Sequence, residues 1–572
     1  MMGAPAVVRA SRRLLGTVAA LAFLALCLCT AARREPHSRA PGGLLDLPGP
    51  PPEAGPALRG GAAPAGRAGR HLRQRKEAYV ALIYTDNFLL GTRVLGQSIR
   101  DTGTNRDLVV LATEAVSDTV ASILEGDGWI VKRIATIANP GTGPSAVGKN
   151  NFPAKFWGVY SKLTVWNLVE YDKVIYLDSD ILVTQNIDEL FACPGLCVVV
   201  RHSERFNSGV MVLDPSAEVF DDMLAKISQL QSYTGGDQGF LNEYYSEFVE
   251  APIFQPSGPK LDPSLRTARL TTGYNGDIGL YILNSGRWMI PESQIKVLHF
   301  TLGPLKPWDW WSGFIMEQVK DWNACRARLA PIPLSASLAT GVGLGDAFAR
   351  LVLVPLPWLV ALWAIIVNNK KPGFKLALMQ LGQSAVNMPS SLRKSVVFFS
   401  DWTSRSPSLI PEYPGGWRLP PRFHLTSGVV GITSLLAAAL AALWIIPSTI
   451  EPFYGYLLTY QWVTFIFLAF FSQYLRLCMT LGARSRSSSD RGSPLSSGRA
   501  AGGLPWTDTL SCYIAIVATG SLIPLGPYLL GVRQLFPKLG MVVFGIMVEL
   551  CVLNYAMLQL PGKWFFAGRM SA

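Results

Sequence analysis

Short apolar runs alternate with amphipathic stretches through residues 78–177 of this chain. Ala78–Tyr84, Leu108–Ala112 and Trp129–Ile134 are brief and mostly apolar, a pattern that predicts buried strands. Leu90–Ile99 places Leu90, Val94, Leu95 and Ile99 near one helical face. Ser161–Glu170 places Leu163, Trp166 and Val169 on one stripe and predicts a second helix. Lys173–Leu177 predicts another buried strand, and it stops abruptly at Asp178-Ser179-Asp180. Strands alternating with helices predict an α/β domain with a mostly parallel sheet. Ligands of such sheets bind beyond the carboxyl ends of the strands, which is where the acidic triplet falls.

The pattern changes after Pro331. Five longer apolar runs follow, near 351–367, 429–447, 454–475, 510–531 and 539–560. Each is close to the length that crosses a bilayer. Trp444, Tyr454, Tyr456 and Trp564 lie near the ends of these runs and suit an interfacial aromatic belt. At the other end, Leu14–Ala31 is apolar and flanked by Arg9, Arg12, Arg13, Arg33 and Arg34. It reads as a signal anchor or as a cleaved signal peptide, which has the same shape. Residues 35–76 are rich in Pro, Gly, Ala and Arg and read as a flexible stem. The expected organisation is therefore 1–34 signal segment, 35–76 stem, 77–330 globular domain and 331–572 membrane region.

Composition agrees. Only 16% of residues are charged and 49% are hydrophobic, against about 25% charged in ordinary soluble chains. The net charge of +12 does not form a basic face in the globular part, which argues against nucleic acid. It gathers at the N-terminus and in alternate loops of the membrane region, including Lys370, Lys371, Arg393, Arg484 and Arg491. The intervening turns carry only Arg533 and Lys538. Positive loops stay cytosolic, so the globular domain is expected in the lumen. The eight cysteines form neither a disulfide framework nor a zinc pattern. Cys193 and Cys197 would bridge in an oxidising lumen or remain as partly buried thiols.

Two carboxylates at a strand end can share a hard cation, which prefers oxygen ligands. His299 lies far downstream in Val297-Leu298-His299-Phe300-Thr301-Leu302-Gly303-Pro304-Leu305-Lys306-Pro307-Trp308. Gly303 would let backbone approach an anion and Lys306 would bring a point charge for phosphate. One imidazole with two carboxylates suits Mn²⁺ better than Mg²⁺. Asn207-Ser208-Gly209 opens a predicted strand, Val210–Leu213, and Gly235-Gly236-Asp237-Gln238-Gly239 opens a predicted helix. Both offer short polar groups backed by glycine that could read sugar hydroxyls.

The order of these pieces resembles glycosyltransferase family 8, the glycogenin-like family, from about residue 78 to 325. Leu82, Thr85 and Asp86 resemble its nucleotide-binding edge, and Ser161-Lys162-Leu163 resembles its lysine helix. Three residues stand between His299 and Gly303 where glycogenins have two, and Thr234 replaces an acidic residue before Gly-Gly-Asp-Gln. Those departures argue against self-glucosylation. The multi-span tail after Lys306-Pro307-Trp308-Asp309-Trp310-Trp311 resembles the plant inositol phosphorylceramide glucuronosyltransferases. The resemblance implies an A-type nucleotide-sugar-binding fold and a retaining, UDP-sugar-dependent Golgi transferase with a membrane lipid acceptor. It further implies Asp178, Asp180 and His299 on Mn²⁺, with Gly303 and Lys306 on phosphate. Lys162, Asn207, Ser208, Asp237 and Gln238 would serve the donor, beside Leu82 and Thr85 at the nucleotide. A transferase acting on polysaccharide or protein is the alternative enzyme, and a silent membrane scaffold is the alternative of another class.

Overall fold

A computed structural model describes residues 75–139, 158–201, 205–303, 305–340, 343–369, 374–376, 378–379, 419, 422–485, 505–532 and 535–571. The signal segment, nearly all of the stem and most of the basic loops lie outside them.

The apolar runs become strands with little change of boundary. They are β1 (Glu77–Ile83), β2 (Asp107–Thr113), β3 (Ile130–Ile134) and β4 (Lys173–Leu177). The chain continues through β5 (Ile181–Val183), β6 (Leu196–Val200), β7 (Phe206–Leu213) and β8 (Thr267–Leu270). It ends with β9 (Gly276–Asp277) and β10 (Val297–His299). Seven strands form one sheet in the order β3-β2-β1-β4-β7-β6-β8, in which only β7 runs against the rest. Alternate residues of β1 feed opposite cores: Tyr79, Ala81 and Ile83 one, Ala78, Val80 and Leu82 the other. That two-sided burial explains why β1 reads as a continuous apolar run. Helix α1 (Leu89–Asp101) buries the four residues expected of it, and α2 (Asp118–Gly126) begins at a Ser117 cap. A disulfide joins Cys193 to Cys197, the second residue of β6, which is the bridged one of the two alternatives.

Three expectations need correction. Residues Val159–Asn167 wind as a 3₁₀ helix that stops before Val169, which is 59% exposed. Three residues per turn stack Leu163 and Trp166 on one side and leave Val169 beyond the last turn. Strand β7 starts at Phe206, so Asn207-Ser208-Gly209 lies within the strand rather than opening it. Its pairing with β6 shifts register between Val198 and Val199, opposite this segment. Trp564 is buried in the helical region rather than set at an interface; its Nε1 donates to Thr509 Oγ1 at 2.9 Å.

Beyond the sheet come α3 (Asp237–Tyr244), α4 (Ile278–Leu283) and α5 (Val319–Arg326). The helical region contains α6 (Leu344–Asn368), α7 (Phe423–Ile445), α8 (Pro452–Arg484), α9 (Trp506–Leu529) and α10 (Leu535–Ser571). Each covers one of the five apolar runs. Among the described residues four, α6, α7, α8 and α10, are long and apolar enough to cross a membrane. The chain is therefore a membrane protein.

The globular domain rests on one end of this bundle. Trp310 N donates to Ser448 O at 2.9 Å, in the connection between α7 and α8. Its ring lies 5.3 Å from that of Tyr456, and a Cβ on Gly455 would meet Trp310 Cγ at 2.3 Å. Lys538, at the start of α10, donates to Phe314 O at 3.3 Å. Arg326 of α5 pairs with Asp346 of α6 at 2.5 Å. The start of α6, the α7–α8 connection and the start of α10 thus all meet the globular domain, while the far ends of α8 and α10 meet each other through Arg569 and Ser485.

Candidate active site

Strand pairing assembles the site. β10 pairs antiparallel with β5, setting His299 opposite Ile181, and Phe300 N donates to Asp180 O at 3.0 Å. The imidazole is thereby carried to the acidic end of β4. His299 Nε2 lies 3.3 Å from Asp180 Oδ1 and 3.9 Å from Asp178 Oδ2. One ligand atom from each of the three residues lies within 4.8 Å of the other two.

A chain of amide contacts sets the imidazole tautomer. Gly209 N–H donates to Asn207 Oδ1 at 3.0 Å, which fixes that oxygen as an acceptor. Asn275 Nδ2 donates to the same oxygen at 2.8 Å. Asn275 therefore turns Oδ1 toward His299 Nδ1, 2.9 Å away. An amide oxygen only accepts, so Nδ1 carries the proton and Nε2 directs its lone pair at the carboxylates. This is the arrangement a metal-ligating histidine requires. Two carboxylates and an imidazole nitrogen so aimed fit a divalent cation.

Gly209 is also a steric requirement. A Cβ there would stand 2.2 Å from His299 Cε1. The turn signal of Asn-Ser-Gly exposed the motif to sequence reading but not this reason for it. Asn275 was missed altogether, because it carries no local pattern and its position depends on β9 pairing with β10.

Cations surround the carboxylates. Lys306 Nζ lies 2.6 Å from Asp180 Oδ2. Burial alone would push the Asp180 carboxyl up, but the Lys306 ammonium outweighs it and holds that carboxyl well below the usual carboxylate range. Lys162 is buried between Asp178, at 3.0 Å, and Asp237, at 2.8 Å. Burial opposes its charge, yet those two carboxylates outweigh burial and raise its pKa above the ordinary value. Ser208 Oγ donates to Asp237 Oδ2 at 2.7 Å, and Asn207 Nδ2 donates to Gln238 Oε1 at 2.9 Å. The 3₁₀ helix, β7 and the start of α3 thus join the acidic triplet in one polar network.

The remaining candidates lie at its edge. Leu82 is buried at the end of β1, where its carbonyl accepts from Ser179 Oγ at 3.2 Å. Gly303 is exposed, with no atom within 4 Å of where a Cβ would stand. No hydrogen bond among the described residues joins the Thr85 side chain to the cluster. Asp86 accepts from Ser117 N at 2.9 Å and serves that loop.

The chain is similar to several known proteins. The family model described as Glycosyl transferase family 8 matches residues 79–194. Inositol phosphorylceramide glucuronosyltransferase 1 of Arabidopsis thaliana is 37% identical over 510 residues, covering 86% of this chain and 91% of that one. UDP-glucuronate:xylan alpha-glucuronosyltransferase 1 of the same plant is 36% identical over 179 residues, 31% of this chain and 26% of that one. An active-site mutant of LgtC, seen in a crystal structure, aligns over 46% of this chain and 99% of its own, with 17% identity and a TM-score of 0.33. With a relative matched along almost its whole length and the family's model matched from β1 past the acidic triplet, this chain belongs to glycosyl transferase family 8 and has the A-type nucleotide-sugar-binding fold.

Proposed function

We propose that this glycosyltransferase moves glucuronate from UDP-glucuronate, with retention at the anomeric carbon, to a membrane lipid such as inositol phosphorylceramide. The observation that carries this reading is the reach of the similarity to the inositol phosphorylceramide enzyme. At 86% of this chain it can leave out neither the sheet nor the helical bundle. The relative named for xylan aligns over only 31%. A polysaccharide acceptor has no use for such a bundle. A lipid acceptor gains effective concentration from an active centre held at the membrane.

Asp178, Asp180 and His299 would hold Mn²⁺, which when bound supplies Lewis-acid neutralisation of charge on the departing diphosphate. Lys306 and the Gly303 amide would hold phosphate oxygens. Asn207, Ser208, Asp237 and Gln238 would orient the donor sugar, with Lys162 tying Asp237 to Asp178. Leu82 and Thr85 would border the nucleotide. Residues 1–34 would act as the signal segment and 35–76 as the stem of a Golgi protein whose catalytic domain faces the lumen. The charge distribution supports that orientation: the basic loops attach to the bundle ends away from the globular domain.

Purified full-length protein is tested with a panel of UDP-sugars and Mn²⁺, with and without inositol phosphorylceramide. UDP-glucuronate should give the fastest lipid-dependent release of UDP, and EDTA should abolish it. Asp180→Asn should lower transfer roughly a thousandfold, on the scale of the charge stabilisation a bound cation gives. Full transfer in chelator would remove the metal assignment. A stronger response to another donor or to a soluble glycan would replace the substrate reading.

A further inference from the structure

Beside the Asp178–Asp180–His299 cluster lies a small, partly open cleft of about 60 Å³. Its floor includes Asn207 and Asn275, the two amides that reach Gln238 and His299. Its walls include Arg201, Tyr281, Arg287 and Trp288. The cleft therefore adjoins the place where a donor's anomeric carbon would lie, with a different chemical character. The metal cluster is acidic, whereas here two guanidinium groups face one carboxylate, Asp277.

The two arginines differ: Arg287 is exposed, whereas Arg201 is partly buried with unused donors. Arg201 Nη2 is held by Asp277 Oδ2 at 2.5 Å, while its buried Nε has no hydrogen-bond partner. A guanidinium has five N–H donors in a planar fork, so one ion pair orients the group and leaves donors unused. Arg287 is exposed and forms no ion pair among the described residues. It follows Ser285 at φ 57° and Gly286 at φ 74°, a left-handed pair closed by Asn284 Nδ2 donating to Arg287 O at 2.9 Å. A non-glycine residue in that region is strained, and here the strained turn leads directly into Arg287. The Tyr281 and Trp288 rings, 4.6 Å apart, form an apolar wall against which the C–H face of a ring polyol can pack. Leu283, on the same helix as Tyr281, is 80% exposed, and Met289 on the cleft wall is 82% exposed. Tyr281 also hydrogen-bonds to Glu317, close to the Phe314–Lys538 contact with the bundle.

We infer that this cleft binds the acceptor as a phosphodiester-linked ring polyol, the headgroup of an anionic membrane lipid, with Arg201 and Arg287 on the phosphate. Tyr281 and Trp288 border the ring, and Met289 meets the lipid where the headgroup joins its chains. The inference rests on the lipid-acceptor reading and adds to it the residues that make the enzyme prefer an anionic acceptor.

Binding and transfer are measured separately to test it. Full-length protein in phosphatidylcholine nanodiscs, saturated with UDP and Mn²⁺ to block the donor site, is titrated with inositol 1-phosphate, myo-inositol and inorganic phosphate. Wild type should bind inositol 1-phosphate at least about tenfold more tightly than either fragment, as charge-assisted hydrogen bonds to a phosphate allow. Arg287→Gln should lose about tenfold of that affinity and Arg287→Lys should recover part of it, while Lys260→Gln, at an exposed site outside the cleft, should change nothing. The same proteins are then assayed for transfer to inositol phosphorylceramide, where Arg287→Gln should raise the acceptor KM about tenfold. Unchanged binding in the double variant Arg201→Gln/Arg287→Gln overturns the cleft. Inorganic phosphate binding as tightly as inositol 1-phosphate also overturns it, leaving an unspecific anion site. Headgroup binding that depends on Arg287 without any glucuronate transfer would keep the cleft and remove the donor reading. Transfer with an equal acceptor KM in wild type and Arg287→Gln would do the reverse.

Discussion

The active centre and the helical bundle hold their parts in place by opposite means. Around His299 position is set by polar contacts: Gly209 N fixes Asn207, Asn207 fixes Asn275, and Asn275 fixes the imidazole. In the bundle position is set by close backbone approach. A Cβ on Gly482 of α8 would stand 1.9 Å from Phe565 O of α10, and one on Gly568 would stand 1.9 Å from Met479 O. Lipid is as apolar as leucine, so helices in it gain little from burying apolar surface and associate through small residues instead. In the polar network one displaced atom should alter chemistry; in the bundle one added methyl should alter stability.

The same methyl placed in each region tests the contrast. Gly209→Ala drives a Cβ into the His299 ring and should lower Mn²⁺-dependent activity by about 100-fold, the upper range for disturbing a metal's outer shell. Its melting temperature should change little. Gly482→Ala should do the opposite, costing roughly 1–3 kcal/mol of stability through overpacking with kcat unchanged. Paired activity and thermal-melting measurements check both, and an unaltered Gly209→Ala enzyme would break the comparison.

The seam between the regions should show a smaller, divided effect. Trp310→Ala removes the ring that packs on Gly455 and Tyr456. Transfer to lipid in vesicles should fall about tenfold relative to the variant's own acceptor-free UDP release, the loss expected when a tether slackens. Equal losses in both readings would mean the seam only stabilises the fold.

The smallest effect concerns Asp309, next to Trp310. Burial pushes its carboxyl up to about 6, against the pull of Lys306. The folded pKa exceeds the unfolded one, so its contribution is intact at low pH and is lost as pH rises through about 6. Asp309→Asn should therefore raise the melting temperature by about 1–2 °C near pH 7.5 and leave it unchanged near pH 4. A shift of equal size at both values would show that charge is not the cause.

Much of this architecture was legible from residue patterns because it depends on local physics. The run Lys173–Leu177 is buried on both faces, so its apolar texture announces a strand, and the acidic break after it announces the strand's end. The five apolar runs announce helices by length alone. The joining of His299 to Asp178 and Asp180 came through family resemblance, since those residues are far apart in the chain and only β5–β10 pairing unites them. Asn275, the steric role of Gly209 and the Trp310–Ser448 bond were illegible for the same reason: each is defined by a partner distant in sequence. Trp564 misled because tryptophan near the end of an apolar run looks alike whether it faces lipid headgroups or a neighbouring helix.

Lys306, which contacts Asp180, is only four positions before Trp310, which is bonded to the α7–α8 connection. Even fully extended, four residues span no more than ~14 Å. This short link acts as a ruler. It sets the height of Lys306, and of the diphosphate subsite proposed there, above the end of the bundle, and no hinge within so few residues can raise it far. Acceptors are then sorted by stature as well as by chemistry. On the proposed reading a hydroxyl one headgroup above the bilayer would come level with the donor, whereas the far end of a long glycan chain would project past it. With the proposed lipid acceptor, the enzyme would be dimensioned for adding an early sugar, and elongation of a taller product would call for a catalytic centre on a longer mount.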